Sequence, residues 1–480
     1  MNDAASIRRS VLTAVGWATG TRLVGQLANW AMTLAAFRFL HPEDYGLMAL
    51  TITFSGVLHS VSSVGLVDAI IQKQQISDAQ LRSIFGLILV INGTCLLVLF
   101  GLAYPVASVY QDPRLVGMVQ ASSLVFIATA FQAIPRAMLE KRLDFKTVSR
   151  IELVANVCGG AVLLVFAWAG IGPWALLIGM LFTNFGRLIG FACTVPYFPR
   201  PRLRVREVWD LLQNGAWRTG ENLLWYCYAN ADIFIVGKLL GPHSLGIYSV
   251  ARQLAELPID KLGIVIRPLA IPAFAQVQED RAEALRYLQK ALRLLGFLSF
   301  PVFLGIAATA PQITTVILGP HWQEAALPLT ILAFATSIRP VGLIIPPFLM
   351  GIGDFVGSFK NTLFAAMLFP IAFFVGCHWG LIGVCISWVI VNPIQLFVLL
   401  RRVGIVCGAA LGQLVKPLLS PFIGSLLMYV GVSGLDMLLP VEAPQTSALT
   451  YLVVAGAVIY LTFAFLGLRP LCKELLSLAR

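Results

Sequence analysis

Two apolar stretches of this chain, within residues 216–274, carry ionisable side chains at helical spacing. On the first, Arg218, Glu221, Trp225, Tyr228 and Asp232 recur at steps of three and four, which sets them on one face of an α-helix. On the second, Arg252, Glu256, Asp260, Gly263 and Arg267 do the same. Hydrocarbon cannot solvate such groups, so a charged face on a membrane helix points into protein or into a water-filled cavity. The chemistry on offer is anion binding together with proton or cation exchange. Arginine's planar fork holds phosphate oxygens through several donors at fixed charge, and Arg22, Arg218, Arg252, Arg267 and Arg339 all lie in apolar stretches. Arg218 and Arg252 each have a carboxylate one turn on, Glu221 and Glu256, so a local ion pair is the alternative reading for both. Arg22 has none within a turn, which favours a binding role. Asp232, deep in its stretch, is the first candidate for coupling to an ion. Glu221, Glu256, Asp260 and His59 are the others, His59 because imidazole titrates nearest physiological pH. Against that role, His59 also suits hydrogen-bonded packing in a Ser-rich helix, and Trp225 and Tyr228 at helical spacing suit packing as well as sugar stacking.

The elements that must position these groups are membrane helices. The chain of 480 residues is 58% hydrophobic and only 12% charged, with a mean hydropathy of +0.84. That composition defines a polytopic all-α membrane protein. Fourteen apolar stretches of about 20 residues are expected, from 13–40 and 46–71 through 324–350 to 417–438 and 448–468. Their connecting loops alternate in charge. One set collects Arg8 and Arg9, Lys73 and Arg82, Arg136 to Arg150, Arg200 to Arg206, Arg281 to Arg293, and Arg469 to Arg480; the other holds Arg114 alone. This asymmetry places both termini in the cytoplasm. It also accounts for the formal charge of +11 without nucleic acid, which is not an expected partner. The start, with Arg8 and Arg9 before a long apolar run, lacks a cleavable signal pattern. The eight cysteines are scattered in or beside apolar stretches without ligand spacing, so no metal and no cofactor is expected. Arg339 precedes Pro340, and Pro346-Pro347 follows; these break a helix and free its backbone groups.

The chain repeats itself at an offset of about 200 residues. Trp17, Thr19, Gly20 and Leu23 match Trp217, Thr219, Gly220 and Leu223, and Leu40-His41-Pro42-Glu43-Asp44-Tyr45-Gly46 matches Leu240-Gly241-Pro242-His243-Ser244-Leu245-Gly246. Asp144-Phe145 is echoed by Asp354-Phe355. The expected organisation is an N-terminal six-helix lobe over 1–199, a basic cytoplasmic linker over 200–210, a second six-helix lobe over 211–403, and two accessory helices over 404–480. The two lobes would be pseudo-symmetric, with binding at their interface. The first lobe carries milder stripes, Arg22-Gln26-Asn29-Thr33 and Thr51-Ser55-His59-Ser62.

The motif from Arg38 to Gly46, and its counterpart from Asn230 to Pro242 followed by Leu245-Gly246-Ile247-Tyr248, resemble the two lobe signatures of the polysaccharide transporter family. These are the Wzx-type lipid-linked oligosaccharide flippases of the multidrug/oligosaccharidyl-lipid/polysaccharide exporter superfamily, and the resemblance extends over essentially the whole chain. It implies a multi-pass protein of the bacterial inner membrane. Its substrate would be an undecaprenyl-pyrophosphate-linked oligosaccharide, moved between leaflets by alternating access for surface polysaccharide synthesis. H+ or Na+ would be the coupling ion, membrane lipids the surroundings, and a polysaccharide polymerase and a chain-length regulator candidate partners. A drug or toxin exporter, or a peptidoglycan-precursor flippase, of the same superfamily is the alternative. A membrane enzyme of polysaccharide assembly, a polymerase or ligase, is a further one. No enzyme is expected, because outer connections such as 171–173 and 241–245 are short and no nucleophile or phosphate-loop motif occurs. Cysteines introduced at 76, 202 and 442 test the topology: labelling from outside at 442 alone is expected, and outside labelling at 202 overturns it.

Overall fold

The computed structural model describes residue 25, residues 31–62, 70, 77–197, 199–204, 219, 220, 222–440 and 444–467. These are mostly helical, without a strand among the described residues. Residues 31–37 close a helix that leads to α1 (Pro42–Ser62), followed by α2 (Asp78–Tyr110), α3 (Arg114–Ser122), α4 (Val125–Lys141), α5 (Phe145–Trp168) and α6 (Pro173–Thr194). Then come α7 (Ala231–Ala275), α8 (Arg281–Ala308), α9 (Ala326–Thr336), α10 (Arg339–Leu343), α11 (Ile345–Gly351) and α12 (Phe355–Gly376). The chain continues through α13 (Gly380–Cys407), α14 (Leu411–Leu438) and α15 (Gln445–Gly467).

Ten helices among the described residues are long and apolar enough to cross a membrane, or eleven if the pair bent by 42° at Arg339 is one span. Fourteen are expected from sequence. The difference has physical locations: two of the ten continuous stretches run through a glycine in a non-helical conformation, Gly241 and Gly380, and most of the stretch 13–40 lies outside the described residues. The stretch 324–350 is broken rather than straight, as Arg339-Pro340 implies. At 33 residues, α2 spans about 50 Å, so it extends past the hydrocarbon at its ends.

The chain divides into two compact units, Met1–Gly246 and Ile247–Arg480. In the first, α5 packs along α6, and α4 joins α6 to α2. Its core includes Ile84, Phe85 and Ile88 of α2 against Ala130, Ala133 and Ile134 of α4. In the second, α8 packs along α14, and α13 lies against both α12 and α9. Leu288, Leu292, Phe348, Leu399 and Val403 belong to its main core. The helix α15 is held to α8 by the Tyr460 hydroxyl, which donates to the Phe297 carbonyl at 2.9 Å.

Helix starts follow local chemistry. Ser77 and Gln80 form a reciprocal capping box at α2, and Asp280 accepts from the amides of Ala282 and Glu283 at 2.9 Å each at α8. The Asp-Phe echo is a repeated turn. Asp144 donates its amide to the Leu139 carbonyl and caps Thr147; Asp354 donates to Leu349 and caps Gly357. The residue before each aspartate is left-handed, Leu143 at φ 57° and Gly353 at φ 88°. Arg402 holds Asp354 with a two-pronged grip at 2.6 Å per bond, which keeps that carboxyl below the usual carboxylate range. Leu143 is exposed and packs little, so its backbone strain is uncompensated. Leu143→Gly should therefore cost nothing or stabilise the detergent-solubilised protein, whereas Gly353→Leu should destabilise it by about 1 kcal/mol. Equal thermal midpoints for the two variants would contradict this.

Candidate functional site

In the first unit, the repeated motif meets its own copy. The helix α7 breaks at Gly241, whose φ of 81° and ψ of 174° suit glycine alone, and Pro242 pre-sets the next turn. At the crossing of α1 with the residues after this break, no side chain separates the backbones. A Cβ built on Gly46 would lie 1.9 Å from the Pro242 carbonyl oxygen, and one on Gly246 would lie 1.6 Å from the Pro42 carbonyl oxygen. The two contacts are the same contact made twice, with the repeats exchanged.

Polar bonds flank the crossing. Lys238 Nζ donates to the Val109 carbonyl, and the Tyr110 hydroxyl donates to the Phe234 carbonyl at 3.2 Å. Phe54 packs edge-on against the rings of Tyr110 and Phe234. Arg114 reaches Glu43 at 2.5 Å and Asp112 at 2.7 Å, and the guanidinium keeps the Asp112 carboxyl below its ordinary range. Asp232 is fully buried in this unit, and its Oδ1 accepts from the Ile233 amide at 2.9 Å.

The second unit holds a charged cluster. Tyr248, Arg252 and Glu256 follow one another at four-residue steps along α7, so they form one line. Arg252 Nε donates to Glu256 Oε1 at 3.2 Å, and Arg339 Nη1 donates to the same oxygen. Arg339 reaches it from the joint between α9 and α10, where the helix bends by 42°. The Trp388 ring, on α13, lies beneath both guanidiniums, 5.6 Å from Arg252 and 5.1 Å from Arg339. Its indole N–H donates to the Tyr248 hydroxyl at 2.7 Å, and Asn392, one turn on, donates to the Ala335 carbonyl at 2.9 Å and so fixes the joint. The two guanidiniums are held on an aromatic face that favours cations. The Arg339 side chain is 31% exposed, that of Glu256 22% and that of Arg252 12%.

Of the residues singled out from sequence, the structure brings Arg252, Glu256 and Arg339 together. Asp232 belongs to the first unit. His59 is exposed in the last turn of α1. Arg22, Arg218 and Glu221 lie outside the described residues, as do the side chains of Asp260 and Arg267. Sequence reasoning missed Trp388 and Tyr248, although Tyr248 continues the Arg252 stripe by one step. It also missed a cluster in the first unit. There Arg187 donates to Asn156 at 2.9 Å, and Arg136 pairs with Glu140 at 2.8 Å and approaches Glu152 at 3.6 Å. The signal was available, since Arg187 interrupts an apolar run.

The architecture is that of the multidrug and lipid-flippase exporters. The lipid II flippase MurJ, in an inward closed conformation, superposes with a TM-score of 0.72 at 14% identity, over 96% of this chain and all of that one. An inward-facing multidrug MATE transporter follows at 0.61 and 13%, over 80% of this chain and 96% of that one. Residues 34–327 match the family described as polysaccharide biosynthesis protein, and the chain belongs to that family. Lipopolysaccharide biosynthesis protein WzxC of Escherichia coli is 26% identical, over 88% of this chain and 86% of its own. Succinoglycan biosynthesis transport protein ExoT of Rhizobium meliloti is 24% identical, over 98% and 96%.

Backbone atoms cannot step aside as a side chain can, so the crossing should not tolerate a methyl group. Gly46→Ala and Gly246→Ala are each expected to lower stability by about 1–3 kcal/mol, read as the thermal midpoint of the purified protein. Gly101→Ala, where a Cβ meets open space, should leave it unchanged. A shared midpoint for all three would refute the tight crossing.

Proposed function

We propose that this protein flips a diphosphate-linked oligosaccharide lipid across the bacterial inner membrane for surface polysaccharide synthesis, and that the diphosphate is held by Arg252 and Arg339. The observation that carries this reading is the arginine pair itself: two guanidiniums among apolar helices, sharing one carboxylate and one indole face. A diphosphate offers each guanidinium oxygens that it can hold through parallel bonds. Guanidiniums favour an anionic headgroup over the cationic compounds that drug exporters carry. The names of relatives active in lipopolysaccharide and succinoglycan biosynthesis support the same substrate class.

Both termini face the cytoplasm in this reading, and the lobes over 1–199 and 211–403 alternate access about the crossing of Gly46 with Gly246. Coupling to H+ or Na+ is assigned to Asp232, whose burial at 0% exposure makes gain or loss of its charge a large energetic change. A shift between two conformations requires such a differential interaction. The lipid-linked oligosaccharide passes onward to a polymerase and its chain-length regulator.

The test is complementation of a polysaccharide-export mutant, followed by gradient-driven flipping in proteoliposomes. Arg252→Ala or Arg339→Ala should cut export at least about tenfold at normal protein level, since a charge-assisted bond contributes about 1.5–3 kcal/mol. Lysine at either position should restore only part of it, because the fork is lost. Asp232→Asn should retain substrate binding and lose the response to the gradient. Full export by both alanine variants would reject the arginine site, and gradient-driven flipping by Asp232→Asn would remove Asp232 from coupling.

A further inference from the structure

In the first unit, polar side chains of three helices meet. Arg136 of α4 stands 2.8 Å from Glu140 of the same helix and 3.6 Å from Glu152 of α5. Arg187 of α6 donates through Nη2 to Asn156 Oδ1 of α5 at 2.9 Å, and lies within electrostatic range of Glu152 and Arg136. The three helices pack against one another. Each turns these groups away from its exposed apolar side. At about 100° per residue, Arg136 lies about 180° round from Ile127, and Glu152, Asn156 and Arg187 lie about 160° round from Val154 or Ile189. The polar row is thus turned from the faces that suit lipid, yet Arg136 keeps 41% of its side chain exposed and Glu152 25%. One donor of the cluster, Arg187 Nε, and one acceptor a turn before Arg136, Gln132 Oε1, are buried with no hydrogen-bond partner among the described residues. Buried polar atoms are ordinarily paired, so this region is short of a ligand's hydrogen bonds.

We propose that this cluster is a sugar-binding subsite that takes a pyranose ring of the transported oligosaccharide, with Arg187, Asn156 and Gln132 as its hydrogen-bonding groups. This rests on the reading that the substrate is an oligosaccharide lipid. The chemistry of the cluster selects against ions of either sign. An anion drawn to Arg136 meets Glu140 and Glu152 beside it, and a cation drawn to those carboxylates meets the guanidiniums. A ring hydroxyl carries no charge, and it both donates and accepts. It accepts from a guanidinium such as Arg187 and donates to an amide or carboxylate oxygen such as Gln132 Oε1, which are the two kinds of bond the region lacks. Guanidinium, amide and carboxylate are planar and each presents two polar atoms side by side, which matches the neighbouring hydroxyls of a sugar ring. The cluster also lies near an entrance. Its members stand within about three turns of the end of α4, the start of α5 and the end of α6, which is the end that carries the basic loops. In the proposed reading that end faces the cytoplasm, from which the substrate is loaded.

Two lipids separate the sugar from the rest of the substrate: the lipid-linked oligosaccharide that accumulates in the strain of origin when this protein is depleted, and undecaprenyl diphosphate, which has no sugar. The purified full-length protein should bind the sugar-bearing lipid at least about tenfold more tightly. Arg187→Met and Asn156→Leu should each cut that preference to about threefold or less while leaving undecaprenyl diphosphate binding within about twofold of native. Arg252→Ala should instead weaken binding of both lipids. Where Arg187→Met is not recovered folded, Asn156→Leu and Gln132→Leu carry the test. An absent preference in the native protein, or one that these variants retain, overturns the sugar subsite and leaves the diphosphate reading standing. Equal weakening of both lipids by the Arg187 and Asn156 variants overturns it too, since the cluster would then serve the structure or the headgroup. Binding of neither lipid by the native protein overturns both readings.

Discussion

Hydrocarbon offers no hydrogen bonds and no screening, and every polar group in this chain is arranged around that fact. Hydroxyls fold back onto their own helix: Thr51 donates to the Leu47 carbonyl at 2.9 Å, Thr53 to Ala49 at 2.7 Å and Ser60 to Gly56 at 2.9 Å. Longer side chains tie helices together. Gln312 donates to Asp436 at 2.6 Å and Arg187 to Asn156 at 2.9 Å. Charges occur in groups of opposite sign, as with Arg136, Arg187, Glu140 and Glu152. The Arg252–Glu256–Arg339 cluster is another, and it sits on an indole face.

The second constraint is geometric. Helices in lipid have little hydrophobic drive to associate, because the tails are as apolar as leucine; close backbone approach through small residues takes its place. At Gly46 and Gly246 the approach is as near as a backbone permits, with carbonyl oxygens 1.9 and 1.6 Å from where a Cβ would stand. Such a contact loses about a quarter to a half of its dispersion attraction on separating by about 0.5–1 Å, and the bonds from Lys238 and Tyr110 weaken with it. An interface of this kind is closed or open, with little between. That suits a crossing built from two copies of one motif, where each copy supplies both the proline carbonyl and the glycine that receives it.

Much of this was legible in the sequence, and for identifiable reasons. The apolar composition fixed an all-helical membrane protein, and the Pro340 and Pro346-Pro347 pattern marked the bend at Arg339. The repeat of Leu40–Gly46 at Leu240–Gly246 pointed to the segment that forms the crossing, although not to the fact that the copies touch, which is a tertiary relation. Of the cluster, the Arg252–Glu256 pair follows from a four-residue step. Arg339 could be flagged but not paired, because it lies far along the chain. Trp388 had no signal of its own: a tryptophan in an apolar helix is ordinarily packing, and only the convergence of two arginines on its face gives it another role.

The two features share one device, the interrupted helix. A continuous helix spends its carbonyls and amides on itself and can present only side chains. Where α7 breaks at Gly241, the backbone itself becomes a contact surface, and Pro42 and Pro242 use their carbonyls to meet a glycine. Where α9 gives way to α10, the bend turns Arg339 toward α7, and Asn392 of α13 takes the Ala335 carbonyl near the joint at 2.9 Å. Straightening either break would satisfy more backbone within its own helix and would dissolve the contact it makes. The breaks therefore persist because neighbouring elements hold them, Trp388 and Asn392 at the joint and α1 at the crossing.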